Sequence, residues 1–396
     1  MFLGNFRSLG RSRWARSLAL VAMMGSLFAT GPLAGVAQAE GDWEITPQSE
    51  AALERGLKWL ERNQGPEGNW ESNDLGLVGM GALAFLAAGH TPGRGRYGNA
   101  VEKALDYMLK KAKPSGLLNI AEPQRDMYNH GLSAFVLGQA HGMTGDPRMN
   151  AVLDRSLKLI SNTQCDDGGW GYQAKSDKNG HDLSLAVMQA KALRSAMDSG
   201  LEVPPGVTDR AIKSVREHYR SKSGKRALDD PSMKTEPGQF TYDGNKGSIA
   251  MAAAGVVCLQ EFAQYDDWRI PKNMEVIGAA VRNLKTSNNS GNMPFDGYTL
   301  YYVGQALYQV GGRDWEDNYP KIRDCLVASQ IRDAKNPPMD GMWRSGGHLG
   351  GKPGDLYGTS VACFVLAMPN RYLPILQEGK INALNVELPP AKGLKK

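Results

Sequence analysis

Cysteine is scarce in this chain: four among 396 residues, Cys165, Cys258, Cys325 and Cys363, with no Cys-x-x-Cys pair. That argues against a thiolate metal cluster; buried free thiols are the expectation, with a Cys325–Cys363 or Cys165–Cys258 bridge as the alternative. Acidic residues are missing before Glu40, whereas Arg7, Arg11, Arg13 and Arg16 all precede it. Those arginines carry most of the formal net charge of +5, so the remainder is nearly neutral. A phosphate-binding surface needs a basic surplus, which rules against a nucleic-acid partner. Beyond the N-terminal segment no stretch reaches the roughly 18 unbroken apolar residues of a membrane span. Sustained period-2 alternation is also lacking, so no sheet is expected.

What is present begins with an export signal. A basic segment precedes a largely apolar stretch, residues 18–29, and Ala37-Gln38-Ala39 supplies a small-x-small cleavage pattern. Residues 1–39 read as a secretory signal peptide, so the mature protein is expected in a periplasmic or extracellular compartment. Residues 377–396 are polar and lysine-rich and are expected to be a disordered tail.

Between them, residues 40–376 alternate two kinds of helix. One kind is amphipathic: Leu53, Leu57 and Leu60 fall on one face, with Glu54, Arg55, Lys58, Glu61 and Arg62 on the other. Val101/Leu105/Met108, Leu153/Leu157/Ile160 and Ile212/Val215/Tyr219 repeat that stripe. The other kind, at residues 77–88, 132–140, 183–190, 249–259, 300–310 and 360–368, carries almost no charge on any face. A helix apolar all round has to be enclosed by protein. Anchors Trp70, Leu118, Trp170, Phe240, Met293 and Trp343 recur mostly at about 50-residue intervals, the spacing of helical-hairpin repeats. One longer interval absorbs a polar insertion, residues 221–237. The expected fold is all-α: a single (α/α)6 toroid of about six hairpins, an apolar inner ring inside an amphipathic outer one. Closure is favoured over an open solenoid because an uncovered inner ring would expose a large apolar patch.

The linkers share a signature. Arg55-Gly56, Trp59, Gln64 and Gly68-Asn69-Trp70 recur as Arg155-Ser156, Gln164 and Gly168-Gly169-Trp170, with an echo in Gln330 and Gly341-Met342-Trp343. Gln is expected to satisfy carbonyls at the outer-helix end, Gly to permit the reversal, and Trp to plug the gap between hairpins.

This signature resembles the Gln-Trp repeats of the terpenoid-cyclase and protein-prenyltransferase superfamily, over nearly all of the mature chain. The resemblance implies a toroid around an apolar central cavity, and an isoprenoid or lipid-like ligand bound there and open to modification. The family's catalytic residues do not carry over. The cyclase acid, Asp-x-Asp-Asp, is incomplete at Asp166-Asp167, Asp229-Asp230 and Asp266-Asp267, which have Gln164, Ala227 and Gln264 two positions earlier. Of the three zinc ligands of the prenyltransferases only Asp296 is kept; Tyr298 and Gly358 stand at the other two. No metal or other cofactor is therefore expected, and whether the chain is an enzyme stays open.

Each inner helix also starts beside polar residues. In a toroid these starts gather at one mouth, where Asp296, Asp355, His130 and His181 are candidate catalytic groups. Asp182, Tyr242, Tyr298, Tyr301, Tyr357 and, in a Gly-rich loop, His348 are candidate ligand contacts. Helix N-termini favour anions, so an acidic headgroup is expected to suit that mouth. Two further readings stand beside the lipid one: a non-catalytic scaffold for a peptide or cell-envelope polymer, and sugar cleavage using Asp182 and Asp296 as paired carboxylates.

Overall fold

A computed structural model describes residues 43–180, 182–224, 231–345 and 354–377. The expected signal peptide (residues 1–39), His181, His348 and most of the expected C-terminal tail lie outside the described residues. Among those described, twelve α-helices alternate strictly between outer and inner positions, and a further helical turn at residues 374–377 ends the described part of the chain. The outer helices are α1 (Pro47–Arg62), α3 (Gly98–Lys111), α5 (Asn150–Thr163), α7 (Val207–Glu217), α9 (Arg269–Arg282) and α11 (Gly312–Ser329). The inner helices are α2 (Leu75–Ala87), α4 (Asp126–Thr144), α6 (Leu183–Asp198), α8 (Ile249–Glu261), α10 (Gly297–Val310) and α12 (Gly354–Ala367).

The inner helices pack in sequence, α2 on α4, α4 on α6, α6 on α8, α8 on α10, α10 on α12, and α12 returns to α2. The ring is closed. Each outer helix packs on the inner helix that precedes it, α3 on α2, α5 on α4, α7 on α6, α9 on α8 and α11 on α10, and at the seam α1 seats on α12 and also touches α11. Composition explains the two layers. Every residue of α2 except Leu77 is buried, as is every residue of α8 except Ile249. Such helices are stable only where other helices cover them on all sides. No helix of the described residues is long and apolar enough to cross a membrane. All four cysteines are buried and free.

The linker signature works by a different division of labour from the one expected. The tryptophan indole, rather than the glutamine side chain, reaches a last-turn carbonyl of the outer helix: Trp70 Nε1 donates to Leu60 O (2.7 Å), Trp170 to Ile160 O (2.9 Å) and Trp343 to Leu326 O (3.0 Å). Each acceptor lies four residues before the glutamine. The glutamine amide instead reaches the first turns of the next outer helix, from Gln64 to Ala100 O (2.9 Å), Gln164 to Val207 O (3.0 Å) and Gln330 to Ala52 O (2.8 Å). The last of these bonds joins the sixth hairpin to the first.

Glycine is required at the same step. Gly68, Gly168 and Gly341 have φ of +86°, +86° and +96°, and a Cβ on each would fall within 2.5 Å of the carbonyl oxygen of Lys103, Arg210 or Arg55 on the neighbouring outer helix. Left-handed backbone and a close approach coincide there, and only glycine meets both conditions cheaply.

The insertion holds the one departure from an all-helical chain among the described residues. Strands β1 (Tyr219–Ser221) and β2 (Gly238–Phe240) pair antiparallel, Tyr219 opposite Phe240. Three-residue strands are too short to show a period-2 pattern in the sequence. They serve to clamp the two ends of the insertion.

Candidate functional site

The inner-helix starts form one mouth, and helix capping decides which side chains remain for it. Asp74, Asp182, Ser248 and Asp296 cap α2, α6, α8 and α10, each accepting a backbone N–H of the first turn. The positive helix ends are thus occupied by the protein's own oxygens. An acidic headgroup would meet carboxylates there, so the expectation of an anionic ligand is corrected.

At the mouth of α6 these caps become a cluster. Asp182, 2% exposed, accepts from Ser184 N (2.9 Å) and Leu185 N (3.3 Å) through Oδ1. Its Oδ2 accepts from the Tyr172 hydroxyl (2.8 Å), which in turn hydrogen-bonds the Tyr242 hydroxyl. Ser184 Oγ bonds both Asp182 and the Tyr128 hydroxyl. Three hairpins contribute: Tyr128 from α4, Tyr172 from the linker before α6, and Tyr242 from the linker before α8. The rings of Tyr128 and Tyr172 lie 5.7 Å apart, tilted. Tyr298, on α10, faces the same group, feeling the charge of Asp182 and the hydroxyl of Tyr128.

Burial keeps these phenols neutral. It pushes Tyr242 up to about 12 and raises Tyr128, Tyr172 and Tyr298 further, with the Asp182 carboxylate adding to each. The site therefore presents one carboxylate, a serine and four neutral hydroxyls backed by aromatic faces. Its linked hydroxyls form a path along which a proton can pass.

The other candidates are dispersed. His130 is fully buried and faces the outer layer: Nδ1 accepts from Leu118 N (3.2 Å) and Nε2 meets Ser156 O on α5 (3.1 Å). Burial lowers its pKa to about 4, so the ring is neutral and ties two hairpins together. In the second hairpin, one of three that lack the Gln-Trp pair, His130 supplies a cross-hairpin bond, and it does not line the mouth. Asp296 is engaged with Thr299, through its N–H (3.1 Å) and its hydroxyl (2.7 Å), as the cap of α10. Asp355 stands exposed on the first turn of α12. Tyr357 is buried with its ring against Gly297, beside Asp296. Tyr301 is 1% exposed and lies deeper, in the lumen. No group of His, Cys, Asp and Glu that could hold a metal ion occurs among the described residues.

Below the mouth, side chains from several inner helices meet across the axis. Tyr298, Tyr302, Tyr301 and Phe364 form an aromatic column with successive ring centroids 4.9, 5.1 and 5.5 Å apart. The Tyr302 hydroxyl reaches Met188 Sδ at 3.4 Å. Beneath lies a charged pair that sequence reasoning missed. Lys191 and Glu261, 1% and 2% exposed at their side chains, approach to 3.5 Å. Lys191 also donates to Gln305 Oε1 and sits 4.0 Å from the Phe135 ring centroid, while Gln309 donates to Glu261 (2.9 Å). Burial lowers the lysine and raises the glutamate, and each is pulled back by the other's charge. The available signal was a lone lysine continuing the apolar run of α6. Tyr172 had a fainter one, standing two residues after the anchor Trp170.

No protein-family model matches the sequence, and no curated protein does. Solved structures match over most of the chain. A cellobiose 2-epimerase from Bacillus thermoamylovorans aligns with TM-score 0.55 and 10% identity, covering 81% of this chain and 98% of that one. An α-1,6-mannanase of a Salegentibacter species, in complex with α-1,6-mannotetrose, aligns at 0.52 and 10%, with the same coverage. The type II terpene cyclase MstE from Scytonema aligns at 0.51 and 12%, covering 83% and 100%. At such identities the likeness is one of fold: a toroid shared by a glycosidase, an epimerase and a terpene cyclase. It does not single out the cyclase and prenyltransferase branch that the repeats resemble.

Proposed function

We propose that this exported toroid binds a small, neutral, hydroxyl-rich ligand, a saccharide or sugar-like ring, at the mouth formed by Tyr128, Tyr172, Asp182, Ser184, Tyr242 and Tyr298. One observation carries this reading: three hairpins converge their hydroxyls on a single buried carboxylate, with the Tyr172 hydroxyl 2.8 Å from Asp182 Oδ2. Sugars are recognised by aromatic faces plus a dense set of donors and acceptors, which is what the cluster offers. Two of the fold relatives, the mannanase and the epimerase, act on saccharides by their names, in keeping with this ligand class. Hydrolysis by paired carboxylates is less well supported, because Asp296 is committed to Thr299.

The isoprenoid or lipid-tail reading has one observation in its favour, the aromatic column from Tyr298 to Phe364. A tail following it would have to part Tyr302 from Met188. Calorimetric titration of the full chain with α-1,6-mannotetraose and cellobiose, beside native mass spectrometry for co-purified lipid, separates the two. Saccharide binding weakened about ten- to a hundredfold in Tyr172→Phe/Tyr242→Phe is the expected result. An extracted prenyl lipid with no saccharide heat would overturn it in favour of the tail. Neither ligand, with unchanged behaviour of the double variant, would leave the scaffold reading.

A further inference from the structure

The lower end of the lumen, where the inner helices finish, is crossed by the chain's own C-terminal segment. After the turn Met368–Asn370, residues 371–373 lead into a helical turn, residues 374–377, at the lower end of the inner helices. Tyr372 lies against Gly89 below α2, and Pro374 against Gly142 in the last turn of α4. Ile375 N donates to Gln139 Oε1 on α4 (3.0 Å), and the next residue, Leu376, accepts at its carbonyl from the Tyr308 hydroxyl on α10 (2.5 Å). In the order α2–α4–α6–α8–α10–α12, α4 and α10 stand opposite one another. Two consecutive residues held from opposite walls place the segment across the axis. Leu373, Ile375 and Leu376 are buried beneath it.

The wall they cover is polar. Gln139 bonds Ser195 (2.8 Å), and Lys191, Glu261, Gln305 and Gln309 complete a lining drawn from α4, α6, α8 and α10. A permanently closed core would be cheaper if it were apolar, since each buried polar group carries a desolvation cost. The mouth cluster takes no part in this lower polar cluster, so a role for the cluster is independent of the ligand assigned to the mouth.

We propose that residues 371–377 are a displaceable strap whose release opens a basal route to the buried polar cluster of Lys191 and Glu261. Cys258 is a built-in reporter: it is fully buried on α8, one turn before Glu261, and both charges act on it. Cys165, Cys325 and Cys363 are buried elsewhere and serve as controls.

The test is site-resolved alkylation of the native full-length protein by a small neutral thiol reagent, read by mass spectrometry. In Ile375→Asp/Leu376→Asp, Cys258 labelling should rise at least about tenfold while the other three stay protected. A milder variant, Gln139→Leu/Tyr308→Phe, removes the two groups that grip the strap backbone, together with the Gln139–Ser195 bond, and should show the same selectivity, settling the matter if the first variant does not fold. Unchanged Cys258 labelling in the folded milder variant would overturn the proposal. A uniform rise of all four cysteines in it would do so equally, because the segment would then be part of the cooperative core.

Discussion

Lys191→Met would leave the Glu261 carboxylate inside the lumen with Gln309 as its remaining close donor, at 2.9 Å. Removing one member of a buried ion pair costs about 3–5 kcal/mol, because the survivor keeps its desolvation penalty without the compensating charge. Exposure of 1% and 2% at the two side chains means that solvent cannot make up the loss. Lys191→Met/Glu261→Leu removes both charges. Its remaining cost is the stranded amides of Gln305 and Gln309, about 1–3 kcal/mol, offset by added apolar burial. The double variant is therefore expected within about 2 kcal/mol of wild type and clearly above the single one.

The pH dependence carries a sign. Burial already raises the proton affinity of Glu261, and losing the ammonium raises it further. A carboxyl whose folded pKa lies above its unfolded value holds a proton the unfolded chain releases. The deficit of Lys191→Met should thus shrink as pH falls from neutrality towards the ordinary carboxylate range, and grow as pH rises through the folded pKa. Equilibrium urea unfolding, with m-values compared between variants, is the measurement. A Lys191→Met cost below about 1 kcal/mol, or a double variant losing the sum of the singles, would refute the reasoning.

Two further outcomes come from the packing. Gly168→Ala puts a Cβ 2.2 Å from the Arg210 carbonyl oxygen at φ +86°, and should cost at least about 3 kcal/mol in the same assay; Gly171→Ala, with nothing within 4 Å, should change stability by less than about 1 kcal/mol. His130, lowered to about 4 by burial, contributes stability that is complete above the ordinary histidine pKa and lost as pH falls towards 4. Wild type should lose on the order of 3 kcal/mol across that window through this residue, and His130→Gln should show a flatter profile there; an unchanged pH slope would remove His130 as its source.

The legible part of the site was its side of the ring. Inner-helix starts bear polar caps because unpaired N–H groups demand them, so Asp182, Tyr242 and Tyr298 could be placed at a common mouth from their spacing alone. Which of those groups would meet was not legible. Tyr128 and Tyr172 join Asp182 from separate hairpins, and Asp296, of the same type and in the same kind of position, is occupied within its own first turn. His130 shows the limit most plainly. Two residues after Tyr128, it is rotated by about 200° around α4, which turns it from the lumen to the outer layer.

By itself the sequence determined the alternation of charged and uncharged helices, and with it the double ring, because hydrophobic periodicity is a local property that one helix displays without its neighbours. It also marked the Gln-Gly-Trp linkers, although not which carbonyls they serve. Only tertiary structure decided the contacts made across the axis. Lys191 finds Glu261 seventy residues away, and residues 375 and 376 find opposite walls, because ring closure brings together positions whose separation along the chain carries no signal of their meeting.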